Sequence, residues 1–120
     1  MQYEYFYGAQ AEQFSFYRIP KALFTEPNFR ELSTDAKVLY GILLDRMSLS
    51  LKNQWLDAQN KVYIIFTVEE IMDALNCANQ KATRLMVELE KQAGLIERKR
   101  QGLGRPNLIY VKNFAATINS

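Results

Sequence analysis

The sequence predicts an α+β domain that is mainly helical and carries small antiparallel β-hairpins. Two amphipathic helical segments are separated only by residues 76–78, a spacing typical of a helix-turn-helix. The second segment ends at Gly94, and two short β-prone segments around a glycine-containing loop follow it at once. With 120 residues, 48% of them hydrophobic, the chain can bury one core without disulfides or metals. This order of elements predicts a winged helix-turn-helix, in which the last β-hairpin is the wing.

The chain begins with an aromatic segment, residues 1–19, that is richer in Tyr and Phe than a solvated tail. We expect it either to pack on its own domain or to form a dimer contact, because aromatic side chains concentrate in interface cores. The candidate dimer-contact residues are Tyr3, Tyr5, Phe6 and Tyr7. Residues 14–19 alternate loosely and predict a short strand. Pro20 suits the first position of a brief helix through Phe24 that ends before Pro27.

A long core helix is predicted over residues 33–51. Ser33 or Thr34 caps its first turn, and Asp35 complements the helix dipole there. Its apolar residues follow at helical spacing, namely Ala36, Leu39, Leu43 and Met47. Residues 53–66 then predict a β-hairpin around the polar turn 58–61, with Trp55 at the edge of the core.

Two shorter helices form the predicted helix-turn-helix. Thr67 and Glu70 have the spacing of a capping box, in which each side chain satisfies a free amide of the first turn. The second helix is predicted over residues 79–93, capped by Asn79 and terminated by Gly94. At 100° per residue its apolar arc is Ala82, Leu85, Met86, Leu89 and Ala93. The opposite, exposed arc is Gln80, Lys81, Thr83, Arg84, Val87, Glu88 and Lys91.

The N-terminal half of this exposed arc carries side chains suited to DNA. A recognition helix contacts bases from that half, so we expect Gln80 and Arg84 to contact base edges and Lys81 and Thr83 to contact phosphates. The alternative is an ordinary solvated helix face, because polar helix faces are common in proteins that bind no nucleic acid.

The wing is predicted from a strand at residues 95–99, a loop at 100–107 and a returning strand at 108–111. The candidate DNA-binding residues outside the N-terminal half of the helix are Lys91, Arg98, Lys99, Arg100, Arg105 and Asn107. The loop can lie along phosphates or place Arg105 in a minor groove. The alternative is a charged strand edge that discourages aggregation.

The charge distribution favours an anionic polymer as partner. Residues 79–112 contain eight basic and three acidic residues, a net charge of +5, whereas the rest of the chain carries −3. The chain has no histidine, and its one cysteine, Cys77, cannot form an internal disulfide. We therefore expect no metal, no cofactor and no enzyme activity. Without a signal segment or a membrane-length apolar run, we expect a cytoplasmic protein that does not bind membranes.

Four blocks of the sequence resemble the amino-terminal domain of the plasmid replication initiator protein A family of Gram-positive bacteria. They are "FYRIPKALF", "LSTDAKVLYGILLDRMSLS", "VYIIFTVEEIMDALNCANQKATRLMVELE" and "GLIERKRQGLGRPNLIYVKNF". The resemblance extends over residues 14–114. It implies a dimeric winged helix that binds repeated sites in the plasmid origin and starts theta-type replication. Family members continue into further domains, so contacts with host replication proteins are expected from regions absent from this chain.

These observations divide the chain into an aromatic segment at 1–19, a winged-helix DNA-binding domain at 20–114 and a tail at 115–120. The partner expected for this domain is double-stranded DNA, bound by a homodimer. Two alternatives remain open. The domain can be a winged-helix transcription regulator, including an autorepressor, that uses the same face on a promoter. It can also be a protein-association module whose basic end contacts an acidic protein.

Overall fold

The computed structural model describes residues 2–8 and 14–115. Its helices and strands are α1 (Ala22–Thr25), a 3-10 turn (Pro27–Phe29), α2 (Thr34–Lys52), α3 (Val68–Leu75), α4 (Asn79–Val87), a π turn (Glu88–Gln92), β1 (Ile96–Lys99) and β2 (Leu108–Val111). The strands pair antiparallel, with Ile96 opposite Val111. The α+β winged helix-turn-helix predicted from the sequence is confirmed, and the two wing strands lie within one residue of their predicted bounds.

Helix α2 is the centre of the core. Ser33 caps it as predicted, since the Ser33 hydroxyl accepts a hydrogen bond from the Ala36 amide at 3.2 Å. Leu39, Tyr40 and Leu43 are fully buried along its length. The Tyr40 hydroxyl donates to the Lys112 carbonyl at 2.9 Å, which ties α2 to the chain just after β2. Burial raises the pKa of Tyr40 to about 12.

Gly41 allows the N-terminal part of the chain to lie directly on α2. A Cβ at this position would stand 2.9 Å from both the Arg18 carbonyl oxygen and the Ile19 Cγ1. Because the backbone of residues 18–19 packs on a helix and not beside another strand, the strand predicted for residues 14–19 is wrong. The brief helix after Pro20 is real, but it begins at Ala22.

The helix-turn-helix forms as the sequence predicts. The Thr67 hydroxyl accepts from the Glu70 amide at 3.2 Å, while the Glu70 carboxylate accepts from the Thr67 amide at 3.1 Å. This reciprocal capping box starts α3. Asn76 ends the helix in the left-handed conformation, with φ of 53°. Asparagine tolerates that conformation better than most residues, so the three-residue turn forms without a glycine.

Both ends of α4 differ from the prediction. Asn79 is the first helical residue and not the cap; Ala78 stands at the cap and supplies no side-chain hydrogen bond. The α-helix ends at Val87 and continues as the π turn, closed by a hydrogen bond from the Ala93 amide to the Glu88 carbonyl at 3.0 Å. Gly94, with φ of +65°, then ends the helical segment as predicted.

The prediction that Glu88 lies on the exposed arc is wrong. Its residue surface is only 8% exposed. Its two carboxylate oxygens accept from the Ser33 amide at 2.8 Å and from the Ser33 hydroxyl at 2.9 Å. A π turn holds more residues per turn than an α-helix, so the side-chain directions expected at 100° per residue no longer apply there. The carboxylate turns inward because two donors at the start of α2 satisfy it.

The hairpin predicted over residues 53–66 is reduced to a single bridge between Leu56 and Val62. Asp57 organises this loop, because its Oδ1 accepts from the Gln59 and Lys61 amides at 2.8 and 2.9 Å. Its Oδ2 accepts from the Tyr110 hydroxyl at 3.0 Å, which joins the loop to β2. Two backbone hydrogen bonds also cross the hairpin, from the Asp57 amide to the Lys61 carbonyl at 3.0 Å and from the Tyr63 amide to the Trp55 carbonyl at 3.2 Å.

Aromatic side chains at the two ends of the chain behave differently. Phe114 packs against Phe29 and Tyr40, with ring centroids 5.4 and 6.2 Å apart, and so belongs to the domain. In the N-terminal segment Phe6 and Phe14 contact each other edge to face at 5.9 Å, yet Phe6 stays 62% exposed. Residues 1 and 9–13 of the predicted aromatic segment and residues 116–120 of the predicted tail lie outside the described residues.

Candidate nucleic-acid interface

Helix α4 presents a polar face to solvent. Ala82, Leu85 and Met86 are buried against the core, as the periodicity predicts. The side chains predicted to contact DNA from its N-terminal half are placed on the other side, and Gln80, Thr83 and Arg84 are exposed. Val87 is also partly exposed. This face is therefore open to a partner over about two helical turns.

Lys81 lies on the same helix but has an intramolecular partner. Its Nζ is 2.6 Å from Asp35 Oδ2, and the two side chains are 42% and 52% exposed. Asp35 lies in the first turn of α2, so the pair joins the first turns of two helices. An exposed ion pair contributes little to stability, about 0 to 1 kcal/mol. The pair would, however, weaken anion binding by Lys81, because a phosphate would have to compete with Asp35 for its ammonium group.

The first turn of α4 has backbone amides without an intrahelical acceptor. The Ala82 amide donates to the Ala78 carbonyl at 3.1 Å, which is the first intrahelical bond. The preceding amides of the helix have no intrahelical acceptor, and Ala78 provides no side-chain cap. Free amides at the positive end of a helix dipole favour an anion. This end of α4 therefore adds to the attraction that its exposed cation Arg84 has for an anion.

The wing loop, residues 100–107, is exposed along its whole length. Gln101 Nε2 donates to the Pro106 carbonyl at 2.8 Å, and the Arg105 amide donates to the Gly102 carbonyl at 3.3 Å. These bonds brace the loop across its width. Between Gly102 and Gly104 the side chain of Leu103 is fully exposed, a residue that the sequence analysis did not single out.

Arg98 is held within the protein and not presented to solvent like the loop cations. Glu90 Oε1 accepts from Arg98 Nε at 3.0 Å and from Nη2 at 2.8 Å, while Glu90 Oε2 accepts from the Arg98 amide at 3.1 Å. The side chains are 26% and 16% exposed. Burial acts to raise the pKa of Glu90, but the hydrogen bonds and charge of Arg98 outweigh it and lower that pKa.

The wing loop returns beside the helix-turn-helix. Arg105, Pro106 and Asn107 line a cleft of about 270 Å³ together with Met86 of α4 and Thr67 at the start of α3. The returning limb of the loop therefore lies next to α4, although Met86 is on the buried side of that helix and Gln80, Thr83 and Arg84 are on its exposed side. We call Gln80, Thr83, Arg84, Arg105 and Asn107 the basic face.

The remaining predicted residues are also at the surface. Lys99 and Arg100 are exposed on the wing, and Lys91 is exposed on the π turn. Within residues 2–8 and 14–115, ion pairs neutralise only two of the eight cations of residues 79–112, namely Lys81 and Arg98. The basic end of the sequence is thus a basic surface of the folded domain, and its linear charge pattern did not reveal the pairing of Lys81 with Asp35 or of Arg98 with Glu90.

Other kinds of site find no support in the part of the chain that the structure describes. No group of three or more Cys, Asp or Glu side chains there could hold a metal ion. None of the helices among these residues is long and apolar enough to cross a membrane. Cys77 is a free, half-buried thiol that packs against the core.

Comparisons with known proteins agree with this architecture. A 41 kDa protein of Lactobacillus helveticus is 32% identical over 92 residues, which are 77% of this chain and 26% of that protein. The chain thus spans only about a quarter of the length of this relative. A solved structure described as "N-Terminal domain of DNA binding protein" is 39% identical, with a TM-score of 0.76, and the match covers 93% of this chain and 85% of that one.

Two further solved structures are similar over nearly the same range. One is described as "Structure of Rep-DNA complex" (39% identity, TM-score 0.76, 92% of this chain and 84% of that one). The other is "Structure of MDR initiator" (40% identity, TM-score 0.73, 92% and 86%). Residues 15–120 match the family described as "Replication initiator protein A (RepA) N-terminus". Because this match extends over most of the sequence, the chain belongs to the family of the replication initiator protein A N-terminus.

Proposed function

We propose that this chain is the sequence-specific, double-stranded-DNA-binding domain of a plasmid replication initiator and that it recognises repeated sites in the origin. One observation carries the proposal: the exposed face of α4 and the exposed wing loop both belong to the basic end of the chain, and the loop returns beside α4, where Arg105 and Asn107 share a cleft with Met86. A similar chain, in the structure described as "Structure of Rep-DNA complex", supports it.

The basic face suggests a division of labour. Arg84 and Gln80 lie on the open side of α4 and have the donors that recognise guanine and adenine edges in a major groove. Thr83 and Lys81 contact phosphates beside them. On the wing, Lys99, Arg100, Arg105 and Asn107 hold the neighbouring backbone, and Lys91 extends the same attraction beyond α4.

Binding to duplexes selected from a random pool tests this proposal. Arg84→Ala should cost about 1 to 3 kcal/mol on the selected site and flatten the preference over random duplex. Arg100→Ala should weaken both duplexes alike and reduce the slope of log K against log salt by about one. Lys52→Ala is the matched control, because Lys52 ends α2 about 27 Å from the Asp35 end of that helix and should change neither quantity. Equal, weak binding of selected and random duplex would refute the proposal.

We further propose that two copies pair through the N-terminal aromatic segment, so that a dimer occupies repeated half-sites. Tyr3, Tyr5, Phe6 and Tyr7 are 62 to 85% exposed, which is unusual for four neighbouring aromatic residues. Changing Tyr5 and Phe6 to Ser should convert the dimer to a monomer in sedimentation equilibrium. A parent protein that sediments as a monomer at the concentrations that bind DNA would refute this part.

The proposal assigns this domain no catalytic step. Recruitment of host replication proteins is assigned to regions of the initiator outside this chain. An origin plasmid that still replicates in cells lacking this gene product would remove the replication role and leave a regulator that uses the same basic face on a promoter.

A further inference from the structure

The π turn joins α4 to the wing and carries two carboxylates that bind other parts of the domain. Helix α4 ends there, and its Leu89 carbonyl accepts from the Leu95 amide at 2.8 Å as the chain turns towards the wing. Glu88 binds Ser33 at the start of α2, and Glu90 binds Arg98 in β1. Two carboxylates within one turn thus connect the recognition helix to α2 on one side and to the wing on the other.

The wing needs such a connection. It has two strands of four residues each, and an isolated two-stranded hairpin is at best marginally stable in water. Arg98 lies opposite Ile109 in the ladder. At the Arg98–Ile109 pair, both outer edges of the hairpin form hydrogen bonds with the rest of the domain. Glu90 accepts from the Arg98 amide, while Ile109 exchanges two hydrogen bonds with Ile64 at 2.8 and 2.9 Å.

The geometry of the Glu90–Arg98 pair differs from that of a cation waiting for a phosphate. All three hydrogen bonds are 3.1 Å or shorter, and the guanidinium binds the carboxylate through two nitrogens. A phosphate could take Arg98 only by leaving a mostly buried carboxylate without its partner, which is costly. The pair also adds no net charge to the basic face.

We propose that Glu90 and Arg98 are positioning residues for DNA binding: their pairing sets the wing loop against the end of the recognition helix, and Arg98 makes no phosphate contact. The inference rests on the proposed function, in which α4 and the wing bind one duplex together. It replaces the sequence-based expectation that Arg98 contacts DNA.

The sign of one substitution separates positioning from simple electrostatics. Removing an acid from a basic face should strengthen DNA binding if only charge matters. If Glu90 positions the wing, Glu90→Ala should weaken binding to the selected duplex by about tenfold, a change of about 1.4 kcal/mol. Glu97→Ala is the matched control, because Glu97 is an exposed acid on β1, next to Arg98. Its removal should leave binding unchanged or slightly tighter.

The partner residue supplies a second readout. Arg98→Ala should weaken binding by a similar factor with the salt slope unchanged, whereas Arg100→Ala should reduce that slope by about one. The double variant should bind no more weakly than either single variant, because both lose the same pairing. Circular dichroism establishes that each variant is folded. Arg98→Lys keeps the charge but loses the two-nitrogen contact, so it should also weaken binding. It is the substitute test if Arg98→Ala fails to fold.

Two results overturn the inference: tighter binding by Glu90→Ala, or a salt slope reduced by about one in Arg98→Ala. Both require a parent protein that prefers the selected duplex over random duplex. A parent without that preference overturns the proposed function instead, and the positioning role with it.

Discussion

The Ser33 hydroxyl performs two tasks at once, so its removal should be unusually costly for a half-buried serine. It caps α2 by accepting from the Ala36 amide, and it donates to Glu88 Oε2 at 2.9 Å. Loss of the cap costs about 1 kcal/mol. Loss of a hydrogen bond to a charged group costs about 1.5 to 3 kcal/mol, and here it leaves Glu88, 8% exposed, with one donor fewer. We therefore expect Ser33→Ala to lower the free energy of unfolding by about 3 kcal/mol.

Urea denaturation measures this change directly. The midpoint should fall while the slope of free energy against urea stays constant, because the substitution alters stability and not the surface exposed on unfolding. Three controls bracket the result. Ser33→Gly keeps an acceptable cap and isolates the loss at Glu88; Ser33→Thr keeps the hydroxyl and should cost least. Thr25→Ala removes an exposed hydroxyl whose bond to Lys21 is 3.4 Å long and should cost under about 0.5 kcal/mol.

A cost of about 1 kcal/mol or less for Ser33→Ala would refute the reasoning, because the cap alone would account for it. The buried contact between Ser33 and Glu88 would then contribute nothing to stability. The hydrogen bonds between Glu88 of the π turn and Ser33 would then not stabilise the contact of that turn with α2.

Three further predictions concern an ion pair of α4, the packing on α2 and the Glu90–Arg98 pair. Asp35→Asn should release Lys81, tighten binding to random duplex and steepen the salt slope, as a salt titration would show; an unchanged slope would mean that Lys81 reaches no phosphate. Gly41→Ala should lower the free energy of unfolding by about 1 to 3 kcal/mol in urea, because the new methyl group meets backbone at 2.9 Å; a neutral result would mean that the N-terminal segment moves freely. The folded-state pKa of Glu90 lies below its ordinary value of 4.5, so the stability from its pair with Arg98 is present above pH 4.5 and is lost as pH falls through the lowered pKa. Acid titration of unfolding should therefore show a smaller loss for Arg98→Ala than for the parent.

Features that depend on neighbouring residues in the chain were predictable from the sequence. The cap at Ser33, the capping box of Thr67 and Glu70 and the wing strands all rest on side chains and backbone within a few residues of each other. Such local signals act before tertiary packing and are rarely overridden when the pattern is complete.

Features that depend on distant partners were not predictable. Asp35 and Lys81 are 46 positions apart, so nothing in the linear charge pattern shows that they pair. Glu88 turns inward because its carboxylate binds Ser33 at the start of another helix, and Arg98 pairs with Glu90, which is beside it in space. The basic face was thus predicted in outline, while the acids that shape it became visible only in the fold.

The packing of Phe114 fixes the chain to the core near the end of the described residues. Phe29 and Tyr40 hold this ring, and the Tyr40 hydroxyl also fixes the backbone two residues earlier, at Lys112. A protein fused after residue 120 would therefore be tethered six residues from a point that is tied to α2.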